Sequence, residues 1–181
     1  MAATGELAYS RLFFALWPDV AARRRISALA EEFHRRYGGR RVAAPSLHIT
    51  LAFLGSTLNS HLPTLRALAS EIDAAPFDLT LGLAGAWNKG VFWLASRETP
   101  AELTHLVALL RRQLRGAGIR FADHSFALHL TLMRNAKYAD APMPIEPVEL
   151  KVKGFVLVRT VFAVGGARHE VLARFPLRRP L

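Results

Sequence analysis

The 181-residue sequence contains no cysteine. Disulfide bonds, zinc–thiolate centres and thiol nucleophiles are therefore excluded. Long apolar segments are missing too, since no stretch reaches the ~18 residues that a membrane-spanning helix needs. The first ten residues have neither the basic start nor the apolar run of a signal peptide. These absences lead us to expect a cytoplasmic protein that makes no contact with a membrane.

Acidic residues are scarce: 14 Asp and Glu stand against 24 Lys and Arg, for a net charge of +10. Nearly all of the basic residues are arginine, which binds phosphate bidentately and stacks on aromatic rings. The excess favours RNA or nucleotide ligands, although a solvated basic surface explains the charge equally well. Hydrophobic residues at 51% and charged residues at 21% indicate an ordinary globular protein.

The apolar periodicity predicts an α+β fold. The expected elements are a strand at 11–17, a helix from Asp19 to Gly38, a strand at 46–54 stopped by Gly55, a helix at 62–72, strands at 77–83 and 91–95 around a loop at 85–90, a helix capped by Thr99 that ends near 116, and strands at 127–133, 148–153, 155–162 and 169–175. The first helix is expected to bury Val20, Ile26, Leu29, Ala30 and Phe33. Because strands dominate the second half, antiparallel sheets are favoured over a parallel one. No linker divides the chain, so a single domain over 1–181 is expected.

A tetrapeptide occurs twice, as His48-Ile-Thr-Leu51 and as His129-Leu-Thr-Leu132, 81 residues apart. A chain of this composition would contain roughly 0.05 copies of His-x-Thr-Leu by chance, so two copies need a reason. Each copy is predicted to lie in a strand, where alternate side chains share a face. Histidine and threonine therefore point one way and the leucines the other, although a lone histidine on a polar face is usually without function.

Paired histidines suit in-line displacement at phosphorus, in which the attacking and leaving oxygens lie on opposite sides of the reacting centre. Histidine has an ordinary pKa of about 6.5, so one imidazole can act as base and another as acid near neutral pH. Hydroxyls of Thr50 and Thr131 would donate hydrogen bonds to the non-bridging oxygens. No histidine cluster has metal-ligand spacing, so neither a metal nor a cofactor is expected.

The sequence resembles the two-histidine (2H) phosphoesterases, specifically the LigT-like bacterial RNA 2′,3′-cyclic phosphodiesterases. The resemblance spans nearly the whole chain: Arg11-Leu-Phe-Phe-Ala, the first motif with Phe53-Leu-Gly55, Val91-Phe-Trp-Leu, the second motif with Arg134, and Glu170-Val-Leu-Ala-Arg-Phe-Pro-Leu177. It implies two similar α+β lobes with antiparallel sheets, intertwined and related by a pseudo-two-fold around a central cleft, with the helices outside. It also implies that His48 donates a proton to the leaving O3′ and that His129 activates water, which leaves a 2′-phosphate. Leu128 and Val42 stand where the family often has proline and tryptophan, which leaves substrate fit near Val42 open.

Two further residues are candidates for the site. Arg134 would complement phosphate charge, but its strand parity differs from that of His129 and Thr131, so the strand must end or bulge after Met133. Otherwise Arg134 is a surface arginine. Trp87 either stacks on a base at the cleft mouth or packs within its loop. Five histidines remain, and they are expected to be surface or structural residues: His34, His61, His105, His124 and His169. Of these, only His124 is close enough in sequence to His129 to approach the cleft.

The leading hypothesis is metal-independent hydrolysis of RNA 2′,3′-cyclic phosphate ends, or of nucleoside 2′,3′-cyclic phosphates, by a monomer. One alternative is the reverse reaction, in which RNA ends are joined through a 2′-5′ linkage. Another is an RNA-binding module without activity. The presence of histidine and threonine in both motifs argues against this alternative.

Overall fold

The structure is a computed structural model that describes residues 8–138, 141–164 and 166–178. Within these residues the elements are β1 (Tyr9–Leu16), α1 (Val20–Tyr37), β2 (Arg40–Arg41), β3 (Ile49–Leu58), α2 (Leu62–Ser70), β4 (Phe77–Trp87), β5 (Val91–Ala95), α3 (Ala101–Gly116), β6 (Leu130–Arg134), β7 (Met143–Val152), β8 (Gly154–Ala163) and β9 (Gly166–Pro176). Short 3-10 turns lie at Ala44–Ser46, Asn59–His61 and Asn88–Gly90. No helix among the described residues is long and apolar enough to cross a membrane.

The strands form one antiparallel sheet in the order β7-β4-β5-β6-β3-β1-β8-β9, and β2 pairs with β6. This order is symmetric about its centre. On one side β1 is followed by α1 and β3, and on the other β5 is followed by α3 and β6. The two halves meet where Ile49 of β3 pairs with Leu130 of β6. The predicted α+β class with two similar antiparallel lobes is confirmed.

Helix α1 begins as the sequence predicts and buries the predicted face, except at Val20. The Asp19 side chain accepts a hydrogen bond from the Ala22 amide at 2.8 Å and so caps the first turn. The buried residues of α1 are Ala22, Ile26, Ala30 and Phe33. The prediction that Val20 is buried is wrong, since its side chain is 67% exposed. Val20 lies two residues before Ala22, and two residues turn an α-helix by about 200°, to the opposite face.

Other boundaries also differ from the predictions. The helix expected after a Thr99 cap begins at Ala101, because Pro100 is extended (φ −55°, ψ 140°) and stands between Thr99 and the helix. Gly55 does not end β3: its φ of +68° accommodates a bulge opposite Leu12, and the strand continues to Leu58. Strand β4 runs on to Trp87, so the predicted loop shortens to a turn at Asn88–Gly90. The three tail strands are present and longer than predicted.

Candidate active site

The two tetrapeptides meet at the centre of the sheet. Ile49 and Leu130, which pair in antiparallel register, each directly follow a motif histidine. Continuing this register by one residue places His48 opposite Thr131 and His129 opposite Thr50. The prediction that both histidines lie within strands is wrong by one residue, because β3 begins at Ile49 and β6 at Leu130.

Both imidazoles are held by the same local hydrogen bond. His48 Nδ1 lies 2.7 Å from the carbonyl oxygen of Ser46, and His129 Nδ1 lies 2.9 Å from that of Ala127. A carbonyl oxygen only accepts, so Nδ1 carries the proton in each ring. The neutral form of each imidazole therefore has its lone pair on Nε2, the nitrogen left for proton transfer.

Aromatic rings flank each histidine. The Trp17 ring is nearly parallel to the His48 ring, with centroids 5.8 Å apart, and the Phe13 ring lies 4.8 Å from it. On the other side the Trp87 ring stands edge-on to His129 at 4.5 Å. Trp87 is 42% exposed and lies at the end of β4, beside the second histidine. Neither Trp17 nor Phe13 was singled out by the sequence.

The surroundings favour the neutral form of both imidazoles. Burial, together with the charges of His169, His129 and Arg134, lowers the pKa of His48 to about 4, against the opposing effect of its hydrogen bond to Ser46. Burial also lowers the pKa of His129, with Arg134 and His124 adding to the effect. Each motif histidine of the free protein therefore has a pKa below its ordinary value.

A bulge in β6 brings Arg134 to the site. Thr131 pairs with Trp93 and Met133 with Phe92, so Leu132 is an extra residue on β6. Leu132 and Met133 are both buried, and Arg134 then emerges on the face of Thr131. The predicted bulge exists, but it lies one residue before Met133, not after it. The charge of Arg134 lowers the pKa of both motif histidines, which agrees with a position beside them.

The first motif contains the same bulge. Thr50 pairs with Ala15 and Ala52 with Phe14, which leaves Leu51 as the extra residue on β3. Phe53 then takes the place that Arg134 has in the other half, and the Arg11 guanidinium lies 4.9 Å over its ring. The fourth residue of each tetrapeptide is thus the bulge residue. The signal in the sequence is the pair of apolar residues after each threonine.

A third histidine, His169, reaches the site. Its ring is edge-on to that of His48 at 5.1 Å and lies 5.1 Å from the Phe13 ring. Burial and the charge of Arg134 lower its pKa. The expectation that His169 is a surface or structural residue is wrong: no spacing in the sequence connects β9 with the first motif, and only the folded sheet brings them together. His124 acts electrostatically on His129, as its position near the cleft suggested.

Comparisons with known proteins agree with this geometry. The model of the 2′-5′ RNA ligase superfamily matches residues 16–161. The RNA 2′,3′-cyclic phosphodiesterase of Escherichia coli (strain K12) is 36% identical over 169 residues, covering 92% of this chain and 96% of that protein. The protein of the same name from Archaeoglobus fulgidus is 30% identical over 176 residues, covering 91% and 99%. The crystal structure of E. coli LigT complexed with 3′-AMP superposes with a TM-score of 0.85 at 35% identity, covering 94% of this chain and 99% of that one.

A two-lobed α+β sheet with one His-x-Thr motif from each lobe defines a two-histidine phosphoesterase. The chain belongs to the 2′-5′ RNA ligase superfamily. The resemblance to LigT-like proteins predicted from the sequence is confirmed.

Proposed function

We propose that the protein hydrolyses RNA 2′,3′-cyclic phosphate ends to 2′-phosphates, with His48 as proton donor and His129 as proton acceptor. The observation that carries the proposal is the pair of imidazoles where the two lobes meet, each of which donates a hydrogen bond from Nδ1 to a backbone carbonyl oxygen. Relatives that cover nearly the whole chain and are named RNA 2′,3′-cyclic phosphodiesterases support the substrate class.

In the proposed step, His129 Nε2 removes a proton from water as the water oxygen bonds to phosphorus. The bond from phosphorus to O3′ breaks on the opposite side, and O3′ takes the proton of His48 Nε2. The products are a 2′-phosphomonoester and a 3′-hydroxyl. His129 ends protonated and His48 neutral, so both return to their starting states by exchange with solvent.

Charge on the non-bridging oxygens is stabilised by the chain's own donors. Thr50 and Thr131 are both half-buried, and the strand register places Thr50 opposite His129 and Thr131 opposite His48. Their hydroxyl groups are therefore well placed to donate hydrogen bonds to those oxygens. Arg134 adds a fixed positive charge on the same face. The proposed mechanism uses no metal or cofactor.

Substrate binding supplies the protonated acid. In the free protein the pKa of His48 is about 4, so its imidazole is mostly neutral at neutral pH. A cyclic phosphate carries a negative charge, and an opposite charge nearby favours the charged form of an imidazole. The bound substrate therefore raises the pKa of His48 and helps to create the donor that it needs.

Several finer expectations are part of the same proposal. Trp87, beside His129, would stack on a base. The chain would act as a monomer, as one domain of two intertwined lobes, in the cytoplasm. Microscopic reversibility allows an RNA hydroxyl to replace water at His129, which would form a 2′-5′ linkage, but the high concentration of water favours hydrolysis.

The test is incubation with a nucleoside 2′,3′-cyclic phosphate in excess chelator, followed by identification of the phosphomonoester. The proposal expects full turnover to the 2′-phosphate. A 3′-phosphate product would contradict the assigned roles of the two histidines. Absence of turnover would favour the RNA-binding module without activity, and activity that requires a divalent ion would overturn the acid–base mechanism.

A further inference from the structure

A groove of about 690 Å³ lies along strands β1 and β8, and we call it the β1–β8 groove. Five of the residues that line it share one face of the sheet by their register: Tyr9, Arg11, Ser56, Thr160 and Phe162. Tyr9 is 55% exposed and Phe162 69% exposed, so two large aromatic rings remain uncovered. Of the described residues that line the groove, none is acidic. Uncovered aromatic rings with arginine and without carboxylates are typical of surfaces that bind single-stranded nucleic acid.

Strand β1 connects this groove with the active site. Tyr9, Arg11 and Phe13 alternate along the strand and therefore share a face. The Phe13 ring lies 4.8 Å from the His48 ring. Tyr9 is four residues from Phe13, about 13 Å along an extended strand. The groove thus continues the face that carries His48, and its Tyr9 end is the part farthest from that histidine along the strand.

Strand β8 provides a second connection. Thr160 lines the groove, and its Oγ1 lies 3.5 Å from Nδ1 of His169. The His169 ring in turn lies 5.1 Å from that of His48. Both connections end at His48, so the groove belongs to the His48 side of the site.

The proposed reaction places the RNA on this same side, and the inference rests on that reaction. In-line displacement puts the attacking water by His129 and the ribose O3′ by His48. The rest of the RNA is attached through the 5′ side of that ribose. It therefore leaves the site past His48, toward the β1–β8 groove.

The groove contains a cation suited to a phosphate backbone. Arg159 faces Glu170 at 4.0 Å, so that guanidinium has a carboxylate partner. The Arg11 guanidinium lies over the Phe53 ring at 4.9 Å, and no carboxylate pairs with it among the residues described. Arginine held on an aromatic ring keeps its N–H groups available for phosphate oxygens.

We propose that the β1–β8 groove binds the single-stranded RNA upstream of the cyclic phosphate, with bases stacked on Tyr9 and Phe162 and with the phosphate backbone facing Arg11. The protein then distinguishes an RNA end from a free nucleoside cyclic phosphate. The advantage of the longer substrate lies in binding, since the groove does not touch the reacting atoms.

The test compares a nucleoside 2′,3′-cyclic phosphate with a pentaribonucleotide that carries the same end. The wild-type protein should have the lower KM for the pentanucleotide. Phe162→Ala and Tyr9→Ala should each raise that KM by roughly 5- to 100-fold, the loss of one base–aromatic stack. Both variants should hydrolyse the mononucleotide with unchanged kcat/KM, which also shows that they fold. Tyr9→Phe should retain the low KM because it keeps the ring.

Val164→Ala is the matched control, since Val164 is fully exposed at the turn between β8 and β9 and does not line the groove. Val164→Ala should leave the KM for both substrates unchanged. If the wild-type protein has equal KM values for both substrates, or if both alanine variants retain the low KM, the groove does not bind RNA.

A binding measurement separates this inference from the proposed function. Fluorescence anisotropy with a labelled pentaribonucleotide that ends in a 2′-phosphate requires no turnover. Weaker binding by Phe162→Ala and Tyr9→Ala supports the groove even if the wild-type protein hydrolyses no cyclic phosphate, in which case only the proposed function fails. Wild-type affinity in both variants overturns the groove whether or not hydrolysis occurs.

Discussion

His48 and His129 share a motif but not an environment. The His48 ring contacts the rings of Trp17, Phe13 and His169. The His129 ring contacts that of Trp87, which is 42% exposed. The proposed roles fit this difference. The leaving oxygen belongs to the ribose and needs a donor shielded from water, while the acceptor has to admit the water that attacks.

Removal of either motif histidine should lower turnover while leaving the fold intact. His48→Ala and His129→Ala should each reduce kcat by roughly 10²–10⁴, the usual contribution of one general acid or base. The double variant should be little worse than the singles, because the two imidazoles act in one step. Steady-state kinetics with a cyclic phosphate measures the loss, and His105→Ala on the exposed face of α3 is the control. Near-wild-type turnover in either single variant would refute the assigned mechanism.

The pH dependence of kcat/KM should be bell-shaped and displaced toward acid. The profile of kcat/KM reports the free protein, in which burial lowers the pKa of both His48 and His129. The apparent pKa values of the two limbs are properties of the coupled pair of histidines and cannot be assigned to one residue each. The profile of kcat should lie at higher pH, because the bound phosphate raises both pKa values. The measurement needs a substrate that does not titrate between about pH 4 and 8, and a kcat/KM that rises to an alkaline plateau would remove the donor role from His48.

At the scale of elements, the short strand β2 sets the position of Arg134. Arg40 pairs with Arg134 and Arg41 with Met133, so β2 supports β6 just after its bulge. The approach is close: a Cβ on Gly39 would come within 2.7 Å of the Arg134 carbonyl oxygen. Gly39 also has a φ of +85°, and the neighbouring Gly38 has a φ of +62° with nothing near its Cβ position.

These two glycines form a matched pair of sites for substitution. Gly38→Ala should cost about 1–3 kcal/mol in the free energy of unfolding, because Gly38 has φ +62° and ψ −147°, a conformation that almost only glycine adopts. Gly39→Ala should cost more and should also raise KM, because the added methyl group pushes β6 and Arg134 away from the site. Denaturant unfolding and steady-state kinetics of both variants check this. Equal behaviour of the two variants would show that contact between Gly39 and β6 does not position Arg134.

At the scale of the whole molecule, the site makes the fold sensitive to acid. His48, His129 and His169 all have a pKa lowered by burial, whereas their unfolded-state pKa is about 6.5. The unfolded chain therefore binds more protons than the folded chain below about pH 6.5. Stability is full above this pH and falls as the pH drops toward the folded pKa values.

Replacement of His48 should relieve part of this loss. With a folded pKa of about 4 against about 6.5 unfolded, His48 alone should account for roughly 3 kcal/mol of the stability lost between neutral pH and pH 4. His48→Gln should therefore lose less stability over that interval than the wild-type protein does. Urea unfolding at pH 7 and pH 4 measures the difference, with His105→Gln as the control. If His48→Gln and the wild-type protein lose the same free energy of unfolding between pH 7 and pH 4, His48 is not buried as a neutral group.

Much of the molecule followed from local patterns in the sequence. The common face of His48 and Thr50, the common face of His129 and Thr131, the interior of α1 and the strand content all depend on periodicities of a few residues. The two similar lobes were implied by the family resemblance, whose most specific part is the repeated motif. Residues at element ends, such as Thr99 and Val20, were predicted less well, because a cap or a buried face depends on one or two dihedral angles.

The residue types alone fix the chemistry that the chain can offer: two His-x-Thr-Leu motifs, no thiol, and an excess of arginine. Only the tertiary structure decided which other residues join the motifs. The bulges at Leu51 and Leu132, the arrival of Arg134, and the contact of His169 with His48 all arise from pairing between distant strands. Strand register depends on how the whole sheet packs, and no short window of the sequence contains that information.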